Sequence, residues 1–429
     1  MKTDKPRIFV TGIGVILPGA YSVDSLWRNA MAGISGIAPY RSEVHDSSWL
    51  KYYGRVDRES FNGQGLVVPA KLKRLCSEPT LWGLTAADQA LAQAKLDRCQ
   101  VSPSRRGLFV AEQCTLHPGV QPFKKALALL HDGESYDANN FFPETVKNHA
   151  LPLVFLKSLR NNLFSVASSL FQCKGDCGAF GQDEGAAIAA LNNALFSLRH
   201  GYCDQALVVA TGSYDEAVTL CELQADGHLS QSDAGAKACR PYDRARDGMI
   251  LGEGAVAMLL ESEPAADARN AEPWGEIVAA SGRVASSRDA RRNSIEAYAA
   301  CLRRLLHDSR IPIDGIGAIY ANGKGALKED LHELRKLEAA LGPLAPHIPV
   351  TCSTPLTGML GVAGTLADTA LSLLALKSGK VPPIAHLEDP ELTALPLCRG
   401  HAVSHSGKHA VAFSTGLSGF HSAVLTGRV

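Results

Sequence analysis

The chain has 429 residues, 46% of them hydrophobic and 20% charged, which excludes a disordered or fibrous polypeptide and suits a soluble globular protein with a large core in two packed halves. Lys plus Arg and Asp plus Glu each number 43, so no global attraction to nucleic acid or an anionic membrane is expected. The 11 cysteines include no CxxC pair; the tightest spacing, Cys173 to Cys177, fits no zinc pattern, and reduced buried thiols without a metal are the expectation.

The first residues run straight into a strand pattern at Ile8-Phe9-Val10, without the basic and apolar blocks of a secretory signal, and no apolar run approaches membrane-spanning length. These features predict a cytoplasmic chain with no membrane span. A helical pattern follows at Leu26 to Met31, then a strand at Leu108-Phe109-Val110. The clearest helix starts near Glu184: Ile188, Leu191, Leu195 and Leu198 recur every three or four residues, and the pattern ends at His200-Gly201. Asp183 can cap it, and its first turn, Glu184-Gly185-Ala186-Ala187, is small enough to let other backbone approach. Strands are expected at Leu207-Val208-Val209 and over Ala255 to Leu259. A further strand begins at Gly275-Glu276-Ile277-Val278, after an acidic, Pro- and Ala-rich stretch, and the boundary between an N-terminal half (1–262) and a C-terminal half (263–429) is placed there. Alternating strands and helices predict an α/β protein.

Four blocks carry a resemblance. They are Val10-Thr11-Gly12-Ile13-Gly14-Val15, followed by Trp27 and Ala32-Gly33-Ile34-Ser35-Gly36-Ile37; Lys174-Gly175; Arg199-His200-Gly201-Tyr202-Cys203-Asp204-Gln205-Ala206; and Arg240-Pro241-Tyr242-Asp243 through Leu251-Gly252-Glu253-Gly254. Leu17 stands at the third glycine position of a dinucleotide fingerprint, which rules that motif out. Together the blocks resemble the β-ketoacyl-ACP synthases of the thiolase superfamily from end to end. The resemblance implies a thiolase fold, with two similar halves in a layered αβαβα architecture.

The same resemblance marks where catalytic groups belong. Counting nine residues on from Gly175, or seventeen back from Gly201, places the family's nucleophilic Cys at Glu184, and a carboxylate there lacks the sulfur that exchanges acyl groups readily. The family's HGTGT motif resembles Asn322-Gly323-Lys324-Gly325-Ala326, with Asp330 and Glu333 retained downstream. Asn322 donates hydrogen bonds but exchanges no proton near neutral pH. The GHxxGAAG block resembles Thr357 to Gly364, which puts either Gly358 or Met359 at the second His position. The C-terminal run Ser418-Gly419-Phe420-His421-Ser422-Ala423-Val424 is similar to the ending of type II polyketide chain-length factors, which lack the Cys, usually with Gln in its place, and pair with an active ketosynthase. Glu184 departs from that Gln.

The resemblance therefore implies a chain-length-factor-like subunit, itself catalytically silent. It would form a heterodimer with a ketosynthase, bind no cofactor, and act on phosphopantetheine-linked acyl-ACP through that partner. In that family the segment after Leu108-Phe109-Val110 lines the acyl tunnel, which makes Cys114 and Thr115 tunnel or interface candidates. Two alternatives stay open: a partner-independent malonyl-ACP decarboxylase using Glu184 and Asn322, and a homodimeric ACP-binding scaffold. Glu184 could repel acyl chains from the pocket mouth or simply favour a helix N-terminus. His421 and His332 are expected to be structural, Cys177 a core thiol, and Lys324 a solvated loop charge with contact to a phosphopantetheine or a carboxylate as the sharper possibility.

Overall fold

The computed structural model describes residues 5–40, 49–62, 65–96, 101–113, 153–157, 159, 161–181, 185–285, 290–416 and 419–429. The main-sheet strands are numbered in chain order: β1 Ile8–Ile16, β2 Arg106–Glu112, β3 Cys177–Phe180, β4 Gln205–Ser213, β5 Glu253–Ser262, β6 Gly275–Val284, β7 Ile316–Tyr320, β8 Val350–Thr351, β9 His409–Thr415 and β10 Phe420–Gly427. Their spatial order is β8-β7-β9-β10-β6-β1-β5-β4-β2-β3. Each half follows the same plan. β2 pairs in parallel with β3 and β4, and β5 lies antiparallel between β4 and β1. The second half repeats this with β7, β8, β9, β10 and β6. Among the described residues, the strands of the two halves pair at Phe9↔Glu276 and Val10↔Gly275.

The labelled helices are α1 Val23–Ala32, α2 Glu78–Gln93, α3 Gly185–Arg199, α4 Ala290–Ser309, α5 Leu327–Leu341 and α6 Val362–Ser378. α3 and α6 pack on each other and on strands of both halves, and form the middle layer. α2 covers the outer face of the first half, and α4 with α5 covers that of the second. The result is the five-layer αβαβα thiolase fold. α6 is buried on nearly every side, with Leu366, Ala370, Leu371, Leu373 and Leu374 in the core, as a helix packed between the two halves of the sheet must be.

The opening glycines serve this packing. A Cβ on Gly12 would lie 2.0 Å from the Ala90 carbonyl oxygen, and one on Gly14 1.9 Å from that of Ala86, so only glycine lets α2 settle on β1. Gln93 and Gln89 of α2 then accept from the Ile13 and Val15 N–H groups at 2.7 and 3.0 Å, satisfying donors along a strand edge that pairs with β6 at only two positions.

Cys177 is not a core thiol. It is exposed on β3, the outermost strand of its half, where one side has no neighbouring strand among the described residues. The sequence shows a strand-like run there but not its place at an edge. Cys221 is exposed as well, while Cys76, Cys173, Cys203, Cys239, Cys301, Cys352 and Cys398 are buried and free. Among the described residues no helix is long and apolar enough to cross a membrane.

Candidate functional site

The site lies where β7 ends and the chain turns through residues 322–326 into α5. A buried loop of this kind carries backbone donors that need acceptors. α5 supplies them one and two turns along its length. Glu333 accepts from the Asn322 and Gly323 N–H groups, both at 2.9 Å. Asp330 accepts from the Lys324 N–H at 2.9 Å and, with both oxygens, from that of Gly325 at 3.1 Å. Tyr242 ties the loop to the first half: its N–H donates to Asp330 at 2.9 Å and its hydroxyl to Glu333 at 2.7 Å. Gly323 and Gly325 take φ of +51° and +78°, which favours glycine.

Asp330 is fully buried, and burial pushes its carboxyl up to about 7 against the opposing pull of the backbone donors and the Arg246 guanidinium. Arg246, 3.5 Å away and equally buried, donates to Glu391 at 2.8 Å and to the Asp243 and Leu327 carbonyls at 2.7 and 2.9 Å. Asp330 and Glu333 therefore act as the clamp of this loop.

Asn322 is 9% exposed. Its carbonyl accepts from the Thr354 hydroxyl at 2.7 Å, and its Nδ2 donates to the Thr415 carbonyl at 3.4 Å. Thr415 lies opposite His421 in register, so His421 belongs to the same neighbourhood. Ser294 Oγ is 2.8 Å from His421 Nε2, and Thr415 Oγ1 is 3.1 Å from Nδ1. Burial pushes the His421 imidazole down to about 3, with further lowering from Lys336 and Lys324. Both ring nitrogens are engaged and the ring is neutral, a structural role. His332 sits half-buried on α5.

Gly358 and Met359 are buried beside this loop. Gly358 takes φ +73° and ψ 177°, and a Cβ there would lie 2.5 Å from the Leu251 carbonyl oxygen. No side chain fits. Met359 exchanges backbone hydrogen bonds with the segment that carries Leu251: its N–H donates to Ile250, and its carbonyl accepts from the Gly252 N–H, each at 2.8 Å. Its side chain packs in a cluster with Ala326, Met249 and Leu251.

Glu184, Cys114 and Thr115 lie outside the described residues. The residue after Glu184 is informative: a Cβ on Gly185 would meet the Phe420 ring at 2.9 Å, and one on Gly282 would meet it at 2.6 Å. Phe420 thus covers the start of α3, a placement its motif alone did not suggest. Lys324 is not a solvated loop charge. It is only 5% exposed, because α5 and Asp330 draw its backbone inward. Lys336, a residue that no sequence pattern singled out, is 8% exposed on the inward face of α5.

The fold, with the clamped loop of residues 322–326 at the end of β7, defines a thiolase-type protein. Residues 5–266 match the family described as Beta-ketoacyl synthase, N-terminal domain, and residues 275–388 match Beta-ketoacyl synthase, C-terminal domain. The chain belongs to the β-ketoacyl synthase family. It is 24% identical to the oxytetracycline polyketide putative beta-ketoacyl synthase 1 of Streptomyces rimosus, over 98% of this chain and 97% of the relative. It is 26% identical to the 3-oxoacyl-[acyl-carrier-protein] synthase 2 of Coxiella burnetii, over 90% of both. Among solved structures it superposes on a complex of a type II polyketide synthase acyl-carrier protein with its ketosynthase bound to the hexaketide, with a TM-score of 0.84, 21% identity, and coverage of 99% of this chain and 100% of that one. The ishigamide ketosynthase/chain length factor gives a TM-score of 0.82 at 20% identity, with the same coverage.

Proposed function

We propose that this chain is a non-catalytic, chain-length-factor-like subunit that pairs with an active ketosynthase and helps set the length of an ACP-bound polyketide or polyene chain in a type II polyketide synthase. The observation that carries the reading is the pair of positions where the family places its histidines. Asn322 cannot shuttle a proton near neutral pH, and Gly358 has no room for any side chain. If the second histidine aligns with Met359 instead, a thioether in a packed apolar cluster stands in its place. Glu184 at the nucleophile position adds a third loss. Polarising a thioester and assisting decarboxylation then fall to the partner's intact Cys and His residues.

Pairing is supported by β3, whose outer edge offers backbone donors and acceptors with no strand partner among the described residues, the kind of edge that another chain can cover. The ACP is a partner in this reading, reached through the ketosynthase. The test is co-expression with the neighbouring ketosynthase and mass spectrometry of ACP-bound chains, comparing wild type with Thr115→Trp. Shorter chains from an intact heterodimer are expected, because a large side chain fills tunnel space that cannot relax. Unchanged lengths with the complex intact would remove Thr115 and Cys114 from the tunnel wall.

A further inference from the structure

We propose that the cavity at the start of β7 binds a small sugar phosphate, with the phosphate held by residues 404–408. The cavity lies at the opposite end of β7 from the 322–326 loop, and the inference does not depend on the pairing proposed above. Its volume is about 910 Å³, within the range of small-molecule sites. Two glycines let residues 404–408 lie flat across β7. A Cβ on Gly407 would fall 2.3 Å from the Gly317 Cα, and one on Gly317 2.7 Å from the Gly407 Cα. The segment is fixed at both ends: the His405 N–H donates to the Gly379 carbonyl at 3.1 Å, and the Lys408 carbonyl accepts from the Arg428 N–H at 2.9 Å. Its polar groups are thus held in place before a ligand arrives, which lowers the ordering cost of binding.

Between these anchors the donors are left over. Ser406, Gly407 and Lys408 line the cavity, and none of their N–H groups has an acceptor among the described residues. The Ser404 and Ser406 hydroxyls line it as well and form no hydrogen bond there, and the exposed Lys408 has no ion pair among those residues. Successive free N–H groups, two hydroxyls and an ammonium match the three terminal oxygens of a phosphate better than the two of a carboxylate.

The rest of the wall selects what the phosphate is attached to. Asp314 stands exposed on the same cavity without an ion pair among the described residues. Its carboxylate only accepts, so the esterified group presents hydroxyls to it, and Ile311 and Pro312 beside it seat the carbon face of a sugar ring. An acyl chain is disfavoured, because polar atoms reach deep into this wall. The Nδ1 atoms of His405 and His409 are buried without a hydrogen bond, His405 placing its Nε2 3.1 Å from the Ala375 carbonyl oxygen. Burial holds the His409 imidazole below its ordinary value, and the charge on Lys408 lowers it further. Among the described residues no group of His, Cys, Asp and Glu is arranged to hold a metal ion, so these histidines belong to a site for an organic ligand.

The probe is ribose 5-phosphate, titrated into the full chain by isothermal calorimetry at constant ionic strength, beside ribose and inorganic phosphate. Saturable binding of ribose 5-phosphate is expected, at least tenfold tighter than that of inorganic phosphate, with no binding of ribose. The double variant Ser406→Ala, Lys408→Met should lose at least tenfold in affinity for the ester. Asp314→Asn should weaken the ester at least threefold without weakening inorganic phosphate. Lys71→Met, at an exposed lysine of the first half, is expected to change nothing. Absence of binding, or a folded double variant that binds as the wild type does, would overturn the site. Inorganic phosphate binding as tightly as the ester, or an unchanged ester affinity in Asp314→Asn, would overturn the sugar assignment. Should the double variant fail to fold, Lys408→Gln is measured alone. It is expected to weaken the ester at least threefold, and unchanged affinity would overturn the proposal.

Discussion

Gly358→Ala is the perturbation that the structure prices most directly. At φ +73° and ψ 177° the backbone occupies a region essentially reserved for glycine, and an L-residue held there is strained by about 1–3 kcal/mol. The new methyl would lie 2.5 Å from the Leu251 oxygen, 2.8 Å from its carbonyl carbon and 3.1 Å from the Gly252 nitrogen. These are backbone atoms, so the clash cannot be relieved by a rotamer change. Moving them apart strains the two 2.8 Å hydrogen bonds that Met359 makes with Ile250 and Gly252, each worth about 1 kcal/mol net. The combined loss is about 3–5 kcal/mol, at the upper end for a single substitution. Gly364→Ala, six residues along the same motif, is the control. Its Cβ meets only Leu360 Cβ at 3.9 Å inside α6, and glycine to alanine within a helix gains about 0.5–1 kcal/mol. Urea unfolding of both variants, followed by circular dichroism, is the assay. Midpoints moving in opposite directions are expected, and a Gly358→Ala protein within about 1 kcal/mol of wild type would refute the steric argument.

Glu112→Gln is expected to flatten the stability profile between about pH 4.5 and pH 8. Burial pushes the Glu112 carboxyl from 4.5 up to about 8. The folded chain then holds the proton where the unfolded chain has released it, so this group's contribution is full below about 4.5 and is lost as pH rises toward 8, by at most about 1.4 kcal/mol per unit. The variant's advantage over wild type in unfolding midpoint should therefore grow from pH 5 to about pH 8 and then level off, and a constant difference across that range would contradict the burial argument. The double variant Glu184→Cys, Asn322→His is expected to remain unable to condense malonyl-ACP, since catalytic sets act as units and the third position is still empty. Robust turnover in a radiolabel assay would show that Gly358 and Met359 had been misassigned.

Motif order made the family legible, because Gly12, Gly14, Asp330 and Glu333 each do a backbone-shaping task that only their residue type performs. The helix read from Ile188, Leu191, Leu195 and Leu198 is α3, and its apolar spacing reflects burial between two layers. Solvent exposure was not legible at two points. Cys177 lies in a run whose β character is plain, but edge position is set by strand order, which no local pattern encodes. Lys324 looked solvated because a charged residue between glycines usually is, and its burial comes from Asp330 drawing the loop inward. Lys336 gave no signal at all, since its place depends on how α5 meets Tyr298 and β10. The choice between Gly358 and Met359 stayed open in the sequence, because it depends on how the chain turns from Thr357 into α6, which no local pattern encodes.

The central claim is that this chain is silent and its partner does the chemistry. The most direct measurement is intact-mass analysis of the purified chain with acyl-ACP and malonyl-ACP, run alone and again with the ketosynthase. The account predicts no acyl adduct on this chain in either case, no condensation product without the partner, and extended ACP-bound chains with it. A covalent acyl adduct on Glu184 or Cys177, or turnover of malonyl-ACP by this chain alone, would contradict it.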